Sequence, residues 1–262
     1  MIRRRDNPSI LITQTVHGWV AGQFAAYWGN EQFQIPALTK DVILTAYNHD
    51  NGWLEWEQMP QLNASGYARD FVEMPAETHT ALWQKSIDRL NAQNPYAALL
   101  GSMHARYLVG GRIRGNDEDS AAEKAALQKF VDDVTERGTK LKETLSTVPY
   151  FSAACTEPNL SANFRLIQVF DWLSLLVCMN RLTTTTIEDV PAYPATKRLE
   201  LDFIPLNEQA FTISPWPFSV PEFELVVEMQ HLSQASFDNQ QAFNQVWQMR
   251  TTRQVVYSVR MN

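Results

Sequence analysis

The stretch 160–181, LSANFRLIQVFDWLSLLVCMNR, carries one charged residue, Asp171, between Arg165 and Arg181. Phe164, Ile167, Asp171, Ser174, Leu175 and Cys178 recur at helical spacing on one face, which predicts a helix buried in a core with a carboxylate at its centre. Desolvating an unpaired carboxylate costs several kcal/mol or forces it to take up a proton. Asp171 therefore needs a partner inside the protein, and the chain before it is where that partner should lie.

That chain reads as a series of helices. Segment 14–28, which Thr13 can cap, places His17 on the same stripe as Val20, Ala21, Phe24 and Trp28. Segment 39–50 carries Val42, Ile43, Ala46 and Tyr47, ends on His49 and Asp50, and is stopped by Asn51-Gly52. Helices are expected at 77–90, with His79 on the face of Leu82, Trp83 and Ser86, and at 95–108, with His104 between Leu100 and Leu108. A longer segment, 119–145, has one narrow apolar stripe through Phe130, Val134, Leu141 and Leu145 and reads as an outer helix.

From about residue 190 the texture changes. Prolines cluster, and short β-branched or alternating runs near 199–204, 223–229 and 254–259 read as strands around one helix at 238–249. The expected organisation is a helical domain over 1–190 and a small β-rich subdomain over 191–262 packed on it.

Bulk properties narrow the function. A chain of 262 residues that is 45% hydrophobic and 11% aromatic, with eight tryptophans, can bury a large core. A formal net charge of -7 argues against a nucleic-acid binder, which needs clustered Lys and Arg. The Arg3-Arg4-Arg5 cluster is followed by Asp6, Asn7 and Pro8 rather than by an apolar signal core, and no apolar run is long enough to predict a membrane span. Two cysteines without CxxC spacing support neither a disulfide framework nor a thiolate zinc site, and a reducing cytoplasm fits best.

His17, His49, Asp50, His79, His104 and Asp171 thus all lie on, or next to, inward faces of helices. A divalent transition metal satisfies them together, since imidazole nitrogen and carboxylate oxygen are the usual ligands of Zn, Mn, Fe and Ni. A structural hydrogen-bonded cluster is the alternative, and a lone histidine on an apolar face, as at 79 or 104, is often a core residue. Glu55 and Glu57 are possible general bases, Arg69, Arg106 and Arg165 possible phosphate contacts, and Trp53 and Trp56 possible walls of a pocket. His231 falls outside the pattern.

The order His17, His49-Asp50, His79, His104, Asp171 resembles the HD superfamily, named for its His-Asp pair, whose all-α fold holds one or two metals between helices. The resemblance implies a mainly α fold, an HD-domain-like helical bundle with a small C-terminal sheet as an appendage. It also implies that His17, His49, Asp50 and Asp171 form a mononuclear set and that His79 and His104 add a second ion. The strings His49-Asp50-Asn51-Gly52-Trp53, Ser102-Met103-His104, Asp171-Trp172-Leu173-Ser174-Leu175 and Pro215-Trp216-Pro217-Phe218 are more closely similar to DUF3891, a bacterial family of unknown function. What the HD resemblance implies is a phosphohydrolase, with Asp50, His79 and His104 as catalytic residues and a nucleotide or other small phosphorylated or polar molecule as substrate. Two alternatives stay open, a dinuclear-iron oxygenase and a non-enzymatic metal- or ligand-binding module.

Overall fold

The computed structural model describes residues 1–116 and 119–261. Helix α1 (Gln14–Tyr27) starts at the predicted cap, with Thr13 Oγ1 accepting from the Val16 amide at 3.2 Å. It packs on α2 (Thr39–Asn48) at short range, because Gly22 faces the Tyr47 ring, where a Cβ would come within 2.2 Å. Helix α3 (Ala76–Gln93) leads directly into α4 (Pro95–Gly115), which Asn94 caps and whose first residue is proline. After α5 (Ala121–Ser146) and the single turn α6 (Pro149–Ser152), α7 (Asn159–Cys178) runs through the centre and touches α1, α2 and α4. Among the described residues α7 alone is long and apolar enough to cross a membrane, yet 78% of that window is buried within the molecule, as befits a core helix.

The remaining elements form one sheet. Strands β1 (Ile2–Arg3) and β2 (Ile10–Ile12) precede α1; β3 (Thr185–Pro191), β4 (Arg198–Asn207), β5 (Ala210–Ser214) and β6 (Glu222–His231) follow α7; and helix α8 (Gln240–Gln248) leads into β7 (Thr251–Arg260). Their order is β1-β2-β6-β7-β5-β4-β3, antiparallel throughout except for β5 beside β7. Alternation along the strands sorts the side chains into two layers. Ile2, Ile10 and Ile12 join Phe223, Leu225, Val227 and Phe24 in the main core, whereas Met1 and Leu11 point the other way, onto Phe243 and Trp247 of α8.

This overturns the expected mainly α, HD-like bundle with a sheet as appendage. The chain is 51% helical and 20% strand, and its seven-stranded mixed sheet curls as a half-barrel. Strand β2, with β1 on its outer side, pairs with β6 across the chain, Ile10 opposite His231, so the sheet shares one core with α1 and α7. The expectation failed because β1 and β2 are too short to show a period, and β3 and β5 carry no clean alternation.

Candidate metal centre

Four elements deliver side chains to one point. His17 comes from the first turn of α1, His104 from the middle of α4 and Asp171 from the middle of α7. His49 is the residue on which α2 ends, and Asp50 follows it into a single 3-10 turn, Asn51–Trp53. That turn is pressed onto α3, with the Gly52 amide donating to Ser86 Oγ at 2.8 Å, and a Cβ at Gly52 would lie 2.0 Å from the Leu82 carbonyl oxygen. Only glycine allows so close an approach. A little farther on, buried Glu57 accepts from the Gln14 amide at 2.6 Å and pairs with the Met1 amino group at 3.1 Å, tying the loop after Asp50 to the start of the helix that carries His17.

The tautomers follow from the partners. His49 Nδ1 lies 2.8 Å from the Ala46 carbonyl oxygen, which can only accept, so Nδ1 carries the proton. Ser174 Oγ donates to the Asp171 carbonyl oxygen at 2.8 Å and therefore accepts from His17 Nδ1, also at 2.8 Å. Each neutral imidazole is left with a bare Nε2, and both point at the same place. His17 Nε2 is 2.8 Å from Asp171 Oδ1 and 3.3 Å from His49 Nε2, and His49 Nε2 is 3.4 Å from Asp171 Oδ1. Asp50 Oδ2 adds a fourth donor atom at 3.8 Å from His17 Nε2 and 3.6 Å from His49 Nε2.

Three lone-pair atoms this close repel one another unless a positive charge sits between them. Neighbouring ligands bound at ~2.1 Å to a tetrahedral or octahedral ion stand roughly 3.0–3.4 Å apart, so the spacing suits a transition metal. His104 makes the same point independently. Among the described residues neither of its buried ring nitrogens has a hydrogen-bond partner, and Nε2 lies 3.8 Å from Asp171 Oδ2. Such a group is uncommon without a missing ligand or water. The imidazole protons committed to Ala46 and Ser174 are the orienting outer contacts that metal-binding histidines usually have.

Without an ion the charges settle otherwise. Burial opposes protonation of His49, but Asp50 and Asp171 outweigh it and push its pKa up to about 9, so a proton takes the central place. Although burial works against ionisation of Asp171, the adjoining rings of His17 and His49 hold its carboxyl well below the usual range. His104 goes the other way, down to about 4, because burial outweighs the pull of Asp171.

The donor atoms form two overlapping triads, His17, His49 and Asp50 in one and His49, His104 and Asp171 in the other, each within 4.8 Å. They share His49 Nε2, and one lone pair serves one ion. Of the six residues singled out from sequence, five converge. His79 stands apart, its ring stacked on Trp83 with centroids 3.7 Å away and its Nδ1 3.3 Å from Arg112 Nη1. Of the other candidates, Glu55 pairs with Lys85 and Arg89, Arg165 with the backbone at Glu188 and Asp189, and Arg69 with the Leu62 carbonyl, while Arg106 lines a different cavity.

A cavity of about 480 Å³ opens on the cluster. Its lining includes His17, Asp50 and Asp171 of the cluster together with His79, Arg112 and Asn116, and its apolar walls include Trp53, Phe71, Trp83 and Leu175. Sequence reasoning missed Arg112 because it ended the helix at Leu108, before Gly110-Gly111. The spacing 104, 108, 112 held the signal, since it puts Arg112 on the face of His104.

No curated protein and no solved structure matches the chain. The family described as protein of unknown function DUF3891 has a model that matches residues 1–234, and the chain belongs to that family.

Proposed function

We propose that the protein is a metal-dependent hydrolase of a small phosphoester, built on one divalent ion held by His17, His49, Asp50, Asp171 and His104. The observation that carries the reading is the convergence of bare Nε2 and carboxylate atoms beside an open cavity, with His104 left unpartnered next to them. An ion held there supplies a Lewis acid for a phosphoryl oxygen and a water acidified for attack on phosphorus. The order of these residues along the chain resembles that of the HD superfamily, which is the reason for preferring phosphoester hydrolysis.

The chain's own residues shape the rest. Trp53, Phe71, Val72, Trp83, Leu108 and Leu175 make a wall suited to a flat or apolar substrate body and keep bulk water from the centre. Arg112 is the only Lys or Arg among the described residues lining the cavity, and its charge is matched by Asp119 in a two-pronged pair at 2.8 and 2.7 Å. The cavity thus suits one phosphoryl group carried to the ion and not a polyphosphate. A dinuclear centre would need His79 as a ligand, and its Nδ1 already faces Arg112.

The test pairs elemental analysis of the purified protein with turnover of phosphomonoesters that carry aromatic leaving groups. One ion per chain and activity lost with that ion are expected. A fully loaded protein that is inert toward a broad phosphoester panel would overturn the reading.

A further inference from the structure

His79 shares the cavity with the metal centre but is held by a different device. A guanidinium only donates, so the 3.3 Å contact from Arg112 Nη1 makes His79 Nδ1 an acceptor and places the proton of the neutral ring on Nε2. Arg112 has little freedom to do otherwise. Its Nε and Nη2 grip Asp119 Oδ2 and Oδ1, and Nη1 also donates to the Met74 carbonyl oxygen at 2.8 Å. The ring is fixed in its plane as well, stacked on Trp83 and met edge-on by Trp53 at 5.5 Å. Burial and the neighbouring guanidinium hold its pKa down to about 3, so the ring stays neutral. No described residue accepts from Nε2, and the side chain lines the cavity that Asp50 and Asp171 also line.

A metal ligand needs the opposite arrangement, a bare nitrogen facing the ion and the proton turned away. With Nδ1 occupied by a donor, His79 can offer the cavity only an N–H. We propose that His79 binds an oxygen of the substrate through Nε2–H, and that Arg112, locked to Asp119, sets the tautomer that makes this possible. The inference rests on the reading of the cavity as the substrate site of a metal-dependent hydrolase. It narrows the ligand to one presenting an unprotonated acceptor oxygen, such as a phosphoryl oxygen, to His79. A neutral donor suits that task because it adds no second cation to compete with, or repel, an ion held in the same cavity. A neutral imidazole held as a donor by its surroundings is an established device for polarising a substrate oxygen.

The tautomer is read directly on protein labelled with 15N in its histidines, by long-range proton–nitrogen correlation, with and without zinc. His79 is expected to carry its proton on Nε2 in both samples and to populate both tautomers in Arg112→Lys, which keeps a charge for Asp119 but loses the fork. Binding is read with inorganic phosphate as the probe on zinc-loaded protein. His79→Phe, which preserves the stack on Trp83, should leave the zinc content unchanged and weaken phosphate about tenfold, the worth of one good hydrogen bond to a charged group. His79→Gln, which restores an N–H donor, should recover most of that loss.

A proton on Nδ1 in the unaltered protein, loss of zinc in His79→Phe, or unchanged phosphate affinity would overturn the proposal, and a pure Nε2–H tautomer in Arg112→Lys would remove Arg112 from it. A chain that takes up no ion defeats the reading of the centre instead. The tautomer measured in the ion-free sample still decides His79 in that case.

Discussion

Two groups of residues at the cavity solve opposite electrostatic problems with the same side chain. In the first, His17 and His49 donate their Nδ1 protons to Ser174 and Ala46, so bare Nε2 atoms face Asp50 and Asp171 and a cation from outside would fit between them. In the second the cation is part of the chain: Arg112 fills the acceptor of His79 and is itself neutralised by Asp119. A buried histidine is therefore a ligand or a donor according to what its second nitrogen touches, and proximity to a carboxylate does not decide between them.

The sharpest way to break this contrast is to remove one carboxylate from each group. Asp171→Asn takes away an oxygen 2.8 Å from His17 Nε2, and removing one member of a buried charged set typically costs about 3–5 kcal/mol. Ion affinity should fall by roughly a thousandfold, measured by competition with a chelator of known strength. Asp119→Asn should leave ion affinity within about threefold and instead lower stability by about 2 kcal/mol, the lower figure reflecting the partly exposed Arg112. Equal loss of ion in both variants would erase the distinction.

Acidity separates the groups more gently. In the ion-free protein His49 sits at about 9, above the ordinary 6.5, so the stability it contributes is fully present below pH 6.5 and is lost as the pH rises through 9. His104 at about 4 and His79 at about 3 lie below 6.5, so their effect is the reverse, and stability falls as the pH drops from 6.5 through 4 and 3. Denaturant titrations with chelator present should show a maximum near pH 6.5 and an alkaline loss on the order of 3 kcal/mol. Saturating zinc should abolish the alkaline loss, because the ion then holds the place of the His49 proton. A flat profile between pH 6.5 and 9 in the ion-free protein would mean that His49 is not charged there.

The five residues that converge could be found from sequence because the elements that carry them are long enough to show a period. Thr13 marks the start of the helix with His17, and a single carboxylate within the apolar run around Asp171 announces its own need for a partner. The hold of Arg112 on His79 was not legible, since Arg112 lies beyond a Gly-Gly pair and its partner Asp119 past the end of that helix. The sheet was hidden for a related reason. Its first strands are two and three residues long, and the second is held by pairing with a strand more than 200 residues away, as in Ile10 opposite His231. Local pattern does not report such pairings, and the HD resemblance, which follows ligand order, has nothing to say about them.

The smallest effect tests the tautomer of His17. Ser174 Oγ is the only described partner of His17 Nδ1, and unlike the carbonyl that holds His49 it can be removed. In Ser174→Ala the buried Nδ1–H loses its acceptor, and the ring gains by moving its proton to Nε2, where Asp171 Oδ1 waits at 2.8 Å. That proton occupies the lone pair the ion requires, so ion affinity should fall about tenfold, the low end for loss of an orienting contact. The ion-free protein should lose only about 1 kcal/mol in a melting experiment, because the new hydrogen bond to Asp171 offsets the one removed. Unchanged affinity in Ser174→Ala would mean that Asp171 alone orients His17, and the contrast between the two groups would then rest on His49 and His79.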